Sequence, residues 1–288
     1  MWISRLARHI AAMLATILLG GLLAATMVRL APGFDVDERQ LDPRLSPETI
    51  AAIKAERAGQ RNIVHFYLQF LGRAARGDLG QSQTLNEPVR KLIAERLPAT
   101  ARLAGAGLLA AWIMAFALAV VATMTRSKGM DVMTTVFSGA FLCVPAAVLG
   151  LMTVVAKSPA YLAIACVVFP KLFRYCRNLL ADSYDMPHVI MARAKGLSGS
   201  RVLFWHVLPV CARPLFALAG VSVSLALGAC IPVEALCGIP GIGQLAWQAA
   251  IARDLPLLVT LTVLVTVITL AANSSSDLLS QALRAEGR

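Results

Sequence analysis

Six stretches of the chain run without Asp, Glu, Lys or Arg: Ile10 to Val28, Leu103 to Thr125, Val132 to Ala156, Ser158 to Pro170, Pro214 to Val233 and Leu255 to Ser276. About nineteen residues wound as a helix cover ~28 Å, close to the hydrocarbon thickness of a bilayer. All but the fourth reach that length. The fourth holds thirteen residues before Lys171, Arg174 and Arg177, and crosses only if those side chains reach back to the interface while the helix continues toward Leu180. The first is read as a retained helix and not a cleaved signal, because its apolar run is long and Arg29-Leu30-Ala31-Pro32-Gly33 follows where a small-residue cleavage site is wanted. The pattern predicts an all-α polytopic membrane protein with six transmembrane helices and a helical loop outside the bilayer after the first. Its parts are residues 1–31 (amino terminus and first helix), 32–98 (the extramembrane helical region) and 99–288 (a core of five helices with a polar loop at 181–209).

Shorter periodicities fill the loops. Ser46-Pro47-Glu48 opens a helix that Gly59 closes; Ile63, Phe66, Tyr67, Phe70 and Leu71 share one face of the next; Val89, Leu92, Ile93 and Leu97 make a third stripe before Pro98. These pieces are expected at the membrane interface, over the mouth of the bundle. In the 181–209 loop, Asp185 can accept free amide hydrogens, Pro187 suits a first turn, and a helix from about Met186 to Lys195 follows. Gly196 suits the left-handed residue that ends it, and Ser198 can cap a second helix through Val202, Phe204, Val207 and Leu208. The expected shape is an elbow: helix, sharp turn, helix. Between the last two apolar runs, Gly238-Ile239-Pro240-Gly241 reads as a turn and Gln244 to Ile251 as a short helix re-entering the bundle.

Composition narrows the class. With 58% hydrophobic and 15% charged residues among 288 and a mean hydropathy of +0.69, the chain belongs in a bilayer. Its net charge of +11 does not indicate nucleic acid, since the basic residues sit in short loops between apolar runs. They report orientation instead. Residues 171–213 carry seven Lys or Arg against two acids, whereas the short loops of the opposite side hold only Lys157 and Arg253 as bases. The positive-inside bias puts both termini and the elbow in the cytoplasm, with Arg193, Lys195 and Arg201 within reach of anionic lipid headgroups. The six cysteines have neither disulfide nor zinc spacing, and the four histidines include no HExxH pair. No metal site, resident cofactor or catalytic group is expected. The chain has no Gly-Lys dipeptide, hence no phosphate-binding loop of the GxxxxGK[ST] kind, and five of its spans carry no ionisable residue at mid-depth for a self-powered carrier.

The run Ala192-Arg193-Ala194-Lys195-Gly196-Leu197, followed by His206 and Leu208-Pro209, resembles the cytoplasmic EAA loop of binding-protein-dependent ABC importer permeases, most closely their dipeptide, oligopeptide and nickel branch. Arg29-Leu30 with Pro32-Gly33, Gly77-Asp78-Leu79-Gly80 with Ser82, Pro88-Val89, and Arg96-Leu97-Pro98-Ala99-Thr100 resemble the amino-terminal pattern of that branch, in order. The segment from Glu234 through Pro240, Gly241 and Gly243 to Arg253 and Asp254 resembles the stretch before its last helix, and is a candidate for lining the pathway. Two departures stand out: Phe34-Asp35 replaces the usual acid and proline after the glycine, and the link at Lys157 is short.

The resemblance implies a permease subunit of the cytoplasmic (inner) membrane of a prokaryote, with the 181–209 loop coupling it to an ATPase. Implied partners are a second homologous permease, two cytoplasmic ABC ATPases that carry ATP and Mg, and an extracytoplasmic substrate-binding protein. Peptides are the commonest cargo of that branch; nickel or a metal chelate is the alternative. A stand-alone six-helix channel would need no such partners, and Gly196→Val separates the two, because a channel would tolerate it.

Overall fold

The computed structural model describes residues 2–30, 63–125 and 128–285. Apart from an isolated bridge between Gln81 and Pro88, the regular elements among these residues are helical. They are α1 (Trp2–Leu30), α2 (Ile63–Ala74), α3 (Val89–Thr125), α4 (Lys128–Cys143), α5 (Ala146–Val155), α6 (Tyr161–Tyr184), α7 (Pro187–Ala194), α8 (Gly199–Val202), a π-turn (Leu203–Val207), α9 (Leu208–Cys237), α10 (Ile242–Ala252) and α11 (Leu255–Ala285). The helix expected between Ser46 and Gly59 lies outside the described residues.

Among the described residues three helices, Val89–Thr125, Gly199–Cys237 and Leu255–Ser280, are long and apolar enough to cross a membrane. Val132–Cys143 and Ala146–Val155 together make a fourth, but bent by 93°, where a straight run was expected. Pro145 is the cause, since it has no N–H to donate and its ring collides with a carbonyl one turn back. The opposite occurs at Pro98, which α3 absorbs: the interfacial stripe at Val89 and the span from Leu103 are one helix of 37 residues. Within α1 the apolar part, Ala11–Met27, is shorter, and α6 carries its three basic residues past Pro170 without a break.

The chain divides into two compact units, one of residues 1–97 and 245–268, the other of 98–244 and 269–288. In the first, Phe66, Tyr67 and Phe70 of α2 are buried with Ala25, Leu255 and Val259. The Tyr67 ring lies against Gly21, and its hydroxyl donates to the Ile17 carbonyl at 3.2 Å, so α2 packs along the middle of α1 and not merely over its end. In the second unit α6 is central and packs against α4, α5 and α9. Phe169 and Phe173 stack, and Phe137 and Phe141 meet Phe169 edge-on. On α3 the buried positions Ala104, Gly107, Ala111, Ala115, Ala119 and Ala122 form a small-residue seam. A Cβ on Gly107 would stand 2.6 Å from Ile164, so the two backbones approach as lipid-embedded helices do when packing replaces the hydrophobic drive.

Candidate functional site

The elbow forms where expected. Gly196 has φ +78; its N–H donates to Arg193 (2.9 Å) and that of Leu197 to Ala192 (3.4 Å), the paired bonds of a Schellman ending. The cap at the start of α7 differs from the expectation. Asp185 belongs to the end of α6, and Met186 (φ −70, ψ 142) is the residue before α7, with no side-chain cap. Pro187 explains this, because the residue before a proline is driven into extended backbone. Ser198 does precede α8, again without a side-chain bond.

The second arm also departs. Instead of a short helix ending near Leu208, α8 passes through the π-turn into α9, making one helix from Gly199 to Cys237. The Leu208 N–H reaches back five residues to Leu203, which makes room for Pro209, whose ring would clash with the carbonyl four residues earlier in an α-helix. The wider turn rotates the face. Val202, Leu203 and Val207 are buried, whereas Phe204 and Trp205 are 62% and 76% exposed. Ile190 and Met191 on α7 are exposed as well, with Arg193, Lys195 and Arg201 around them. Both arms of the elbow thus leave large apolar side chains exposed, with exposed cations near them in sequence. Sequence periodicity assigned Phe204 to the packed side and passed over Trp205; an adjacent Phe-Trp pair four residues before a helical proline was the available signal.

Several bonds stiffen this elbow. The Arg193 guanidinium lies 5.4 Å from the centre of the Tyr184 ring, a cation–π contact. His188 Nε2 lies 3.3 Å from the His206 carbonyl oxygen, joining α7 to the π-turn, so His206 contributes through its backbone. Ala192 is buried beneath, Ala194, Lys195 and Pro209 are exposed, and Leu208 is half-buried.

The other candidates hold backbone. Glu234, fully buried, accepts the N–H of Gly243 at 2.7 Å and of Gln244 at 3.2 Å, while Thr100 Oγ1 accepts that of Ile242 at 2.7 Å. These acceptors cap α10. Gly241 is required there because a Cβ would overlap the Glu234 carboxylate, and one on Gly243 would meet the Cys230 backbone at 2.8 Å. Pro240 is exposed at the turn. Arg253 ends α10 with φ +56. In the first unit Asp254 is buried, and one carboxylate oxygen accepts the Ser82 hydroxyl (2.6 Å) and the Thr84 N–H (3.0 Å), the other the Leu257 N–H (3.1 Å). Two segments that stand apart in sequence, Gly77 to Ser82 and Arg253 to Asp254, thus meet through one side chain. Glu234 and Asp254 each hold peptide N–H groups in place.

The pattern that defines the "Binding-protein-dependent transport system inner membrane component" family matches residues 107–285, which include the elbow and the capped turn. Among curated proteins, the chain is 28% identical to a candidate peptide permease protein of Brucella suis biovar 1 (strain 1330) over 90% of this chain and 92% of that one. It is 28% identical to the oligopeptide transport system permease protein OppB of Salmonella typhimurium (83% and 84% covered) and 27% identical to its counterpart AppB of Bacillus subtilis (91% and 92%). A basic elbow on a helical membrane bundle, matched over more than half of the chain, makes this protein a member of the binding-protein-dependent transport system inner membrane component family.

Proposed function

We propose that this chain is one permease subunit of an ATP-driven importer of peptides, and that the elbow is the handle through which ATPases move it. The observation that carries the reading is the exposure of Ile190 and Met191 on one arm of the elbow and of Phe204 and Trp205 on the other, with exposed Arg193, Lys195 and Arg201 nearby in sequence, because large apolar and cationic side chains exposed on a turn suit a protein groove. The relatives named for peptide and oligopeptide transport support the cargo. Energy comes from outside the chain, which has no Gly-Lys dipeptide for a phosphate-binding loop. Its partners are a second homologous permease, two ATPases binding ATP and Mg, and an extracytoplasmic binding protein.

The bent pair, α1 and α6 complete a six-span count with the three uninterrupted helices, and the charge bias supports cytoplasmic termini. Closure of the ATPases around ATP then moves the elbow as a rigid body and turns the bundle from inward- to outward-facing. The test is the full complex reconstituted in vesicles with Trp205→Glu. Uptake of tri-alanine and its ATP hydrolysis fall together while the subunit still inserts and assembles with its second permease. Unchanged uptake refutes the handle, and uptake by this chain alone favours a channel.

A further inference from the structure

The helix at the centre of the second unit has two unlike sides. Ile164, Val168, Phe169, Leu172, Phe173, Cys176 and Leu180 of α6 are packed to 1% exposure or less. Lys171, Arg174, Tyr175, Asn178 and Asp182 are all exposed, and their spacing of three and four residues sets them in one stripe. Among the described residues neither Lys171 nor Arg174 enters an ion pair.

The depth of the stripe follows from its neighbour. Cys211 of α9 lies 3.1 Å from the Ser183 hydroxyl and 3.5 Å from the Leu179 carbonyl, which fixes the antiparallel register of α6 and α9. Lys171 is therefore level with residues 219–223, the middle of the uncharged run Pro214 to Val233. Trp112 donates to Ser222 at 3.2 Å at that same level. Arg213, where the run begins, lies ~9–15 Å away along the axis at 1.5 Å per residue. A lysine side chain spans only about 6 Å, less than that separation, so at this register α6 crosses with Lys171 kept inside the membrane and not by reaching back to the interface. A cation at mid-depth that turns away from its own bundle faces water or protein, not hydrocarbon.

We propose that Lys171 and Arg174 form a carboxylate-recognising station on the wall of the solute path, contacted by the carboxyl terminus of a peptide in transit. This rests on the peptide-importer reading above. The sign of the charge selects the ligand. Arg174 offers a planar fork to a carboxylate, and Lys171 a point charge about one turn deeper. Asp182 lies nearest the elbow, so it is the cations that occupy the depth.

The test uses the complete complex in vesicles, with the six native cysteines replaced by alanine. Lys171→Cys and Tyr175→Cys react with a membrane-impermeant thiol reagent, and tri-alanine slows the reaction. With native cysteines, Lys171→Met and Arg174→Gln import tri-alanine about tenfold less well relative to its C-terminal amide, while uptake of the amide is unchanged. Thiols that stay unreactive with and without ATP overturn the placement whatever the cargo. An unchanged acid-to-amide ratio in complexes that import peptide overturns the recognition. A wild-type complex that imports neither peptide fails the cargo reading instead, and the thiol reaction still decides whether the stripe lines the path.

Discussion

Gly196 offers a graded test of the elbow, because its surroundings isolate one variable. A Cβ built there meets nothing within 4 Å, so the first side-chain atom meets no packing resistance. What remains is the backbone, held at φ +78, where an L-residue loses about 1–2 kcal/mol. Asn tolerates this region, Ala carries the ordinary penalty, and a β-branched side chain exceeds it. The predicted order of damage is Asn, then Ala, then Val, and it does not follow size. Roughly 1 kcal/mol shifts the turn about fivefold toward relaxed alternatives, and 2 kcal/mol about thirtyfold. Uptake coupled to ATP hydrolysis in the reconstituted complex, measured beside the amount of inserted subunit, reads this directly. Gly196→Asn retains most coupling, Gly196→Ala loses several-fold, and Gly196→Val loses most while still inserting. If Asn proved as harmful as Val, or Val as mild as Asn, left-handed backbone would not be what the elbow requires of this residue.

Two further outcomes follow from the turns. Asp254→Ala removes an acceptor shared by Ser82, Thr84 and Leu257, at a cost of about 2–4 kcal/mol, and lowers the thermal midpoint of the detergent-solubilised protein while exposing residues 77–88 to protease; an unaltered midpoint and digest would refute it. Lys157→Gly does the reverse. Lys157 is exposed, sits at φ +49 and ends α5 with bonds from its own N–H to Val154 and from Ser158 to Thr153, so glycine gains about 0.5–1 kcal/mol and raises the midpoint.

Much of this molecule is legible because its strongest signals are local. Long uncharged runs mark the helices, and Pro187 and Gly196 bracket the first arm of the elbow, since one suits a helix start and the other its left-handed end. Prolines were legible as breakers but not as to which would break. Pro145 bends its run and Pro98 and Pro170 do not, because neighbouring packing decides whether the freed carbonyl is tolerated. The exposed faces were least readable. A single π-turn moves Phe204 from the expected packed side to the surface, beside Trp205, and no periodicity of 3.6 anticipates it. The Ser82–Asp254 bond joins residues 172 positions apart, beyond any local rule. The depth of Lys171 needed the α6–α9 register, which only a side-chain contact supplies.

The continuous helix from Gly199 to Cys237 has a mechanical consequence. Its 39 residues make a strut of about 57 Å, with the elbow at one end and the turn that Glu234 caps at the other. A tilt of roughly 10° about its midpoint would swing each tip by ~5 Å in opposite senses. A see-saw of this kind needs no relay of small side-chain shifts through the bundle; a push on one end is already a displacement at the other.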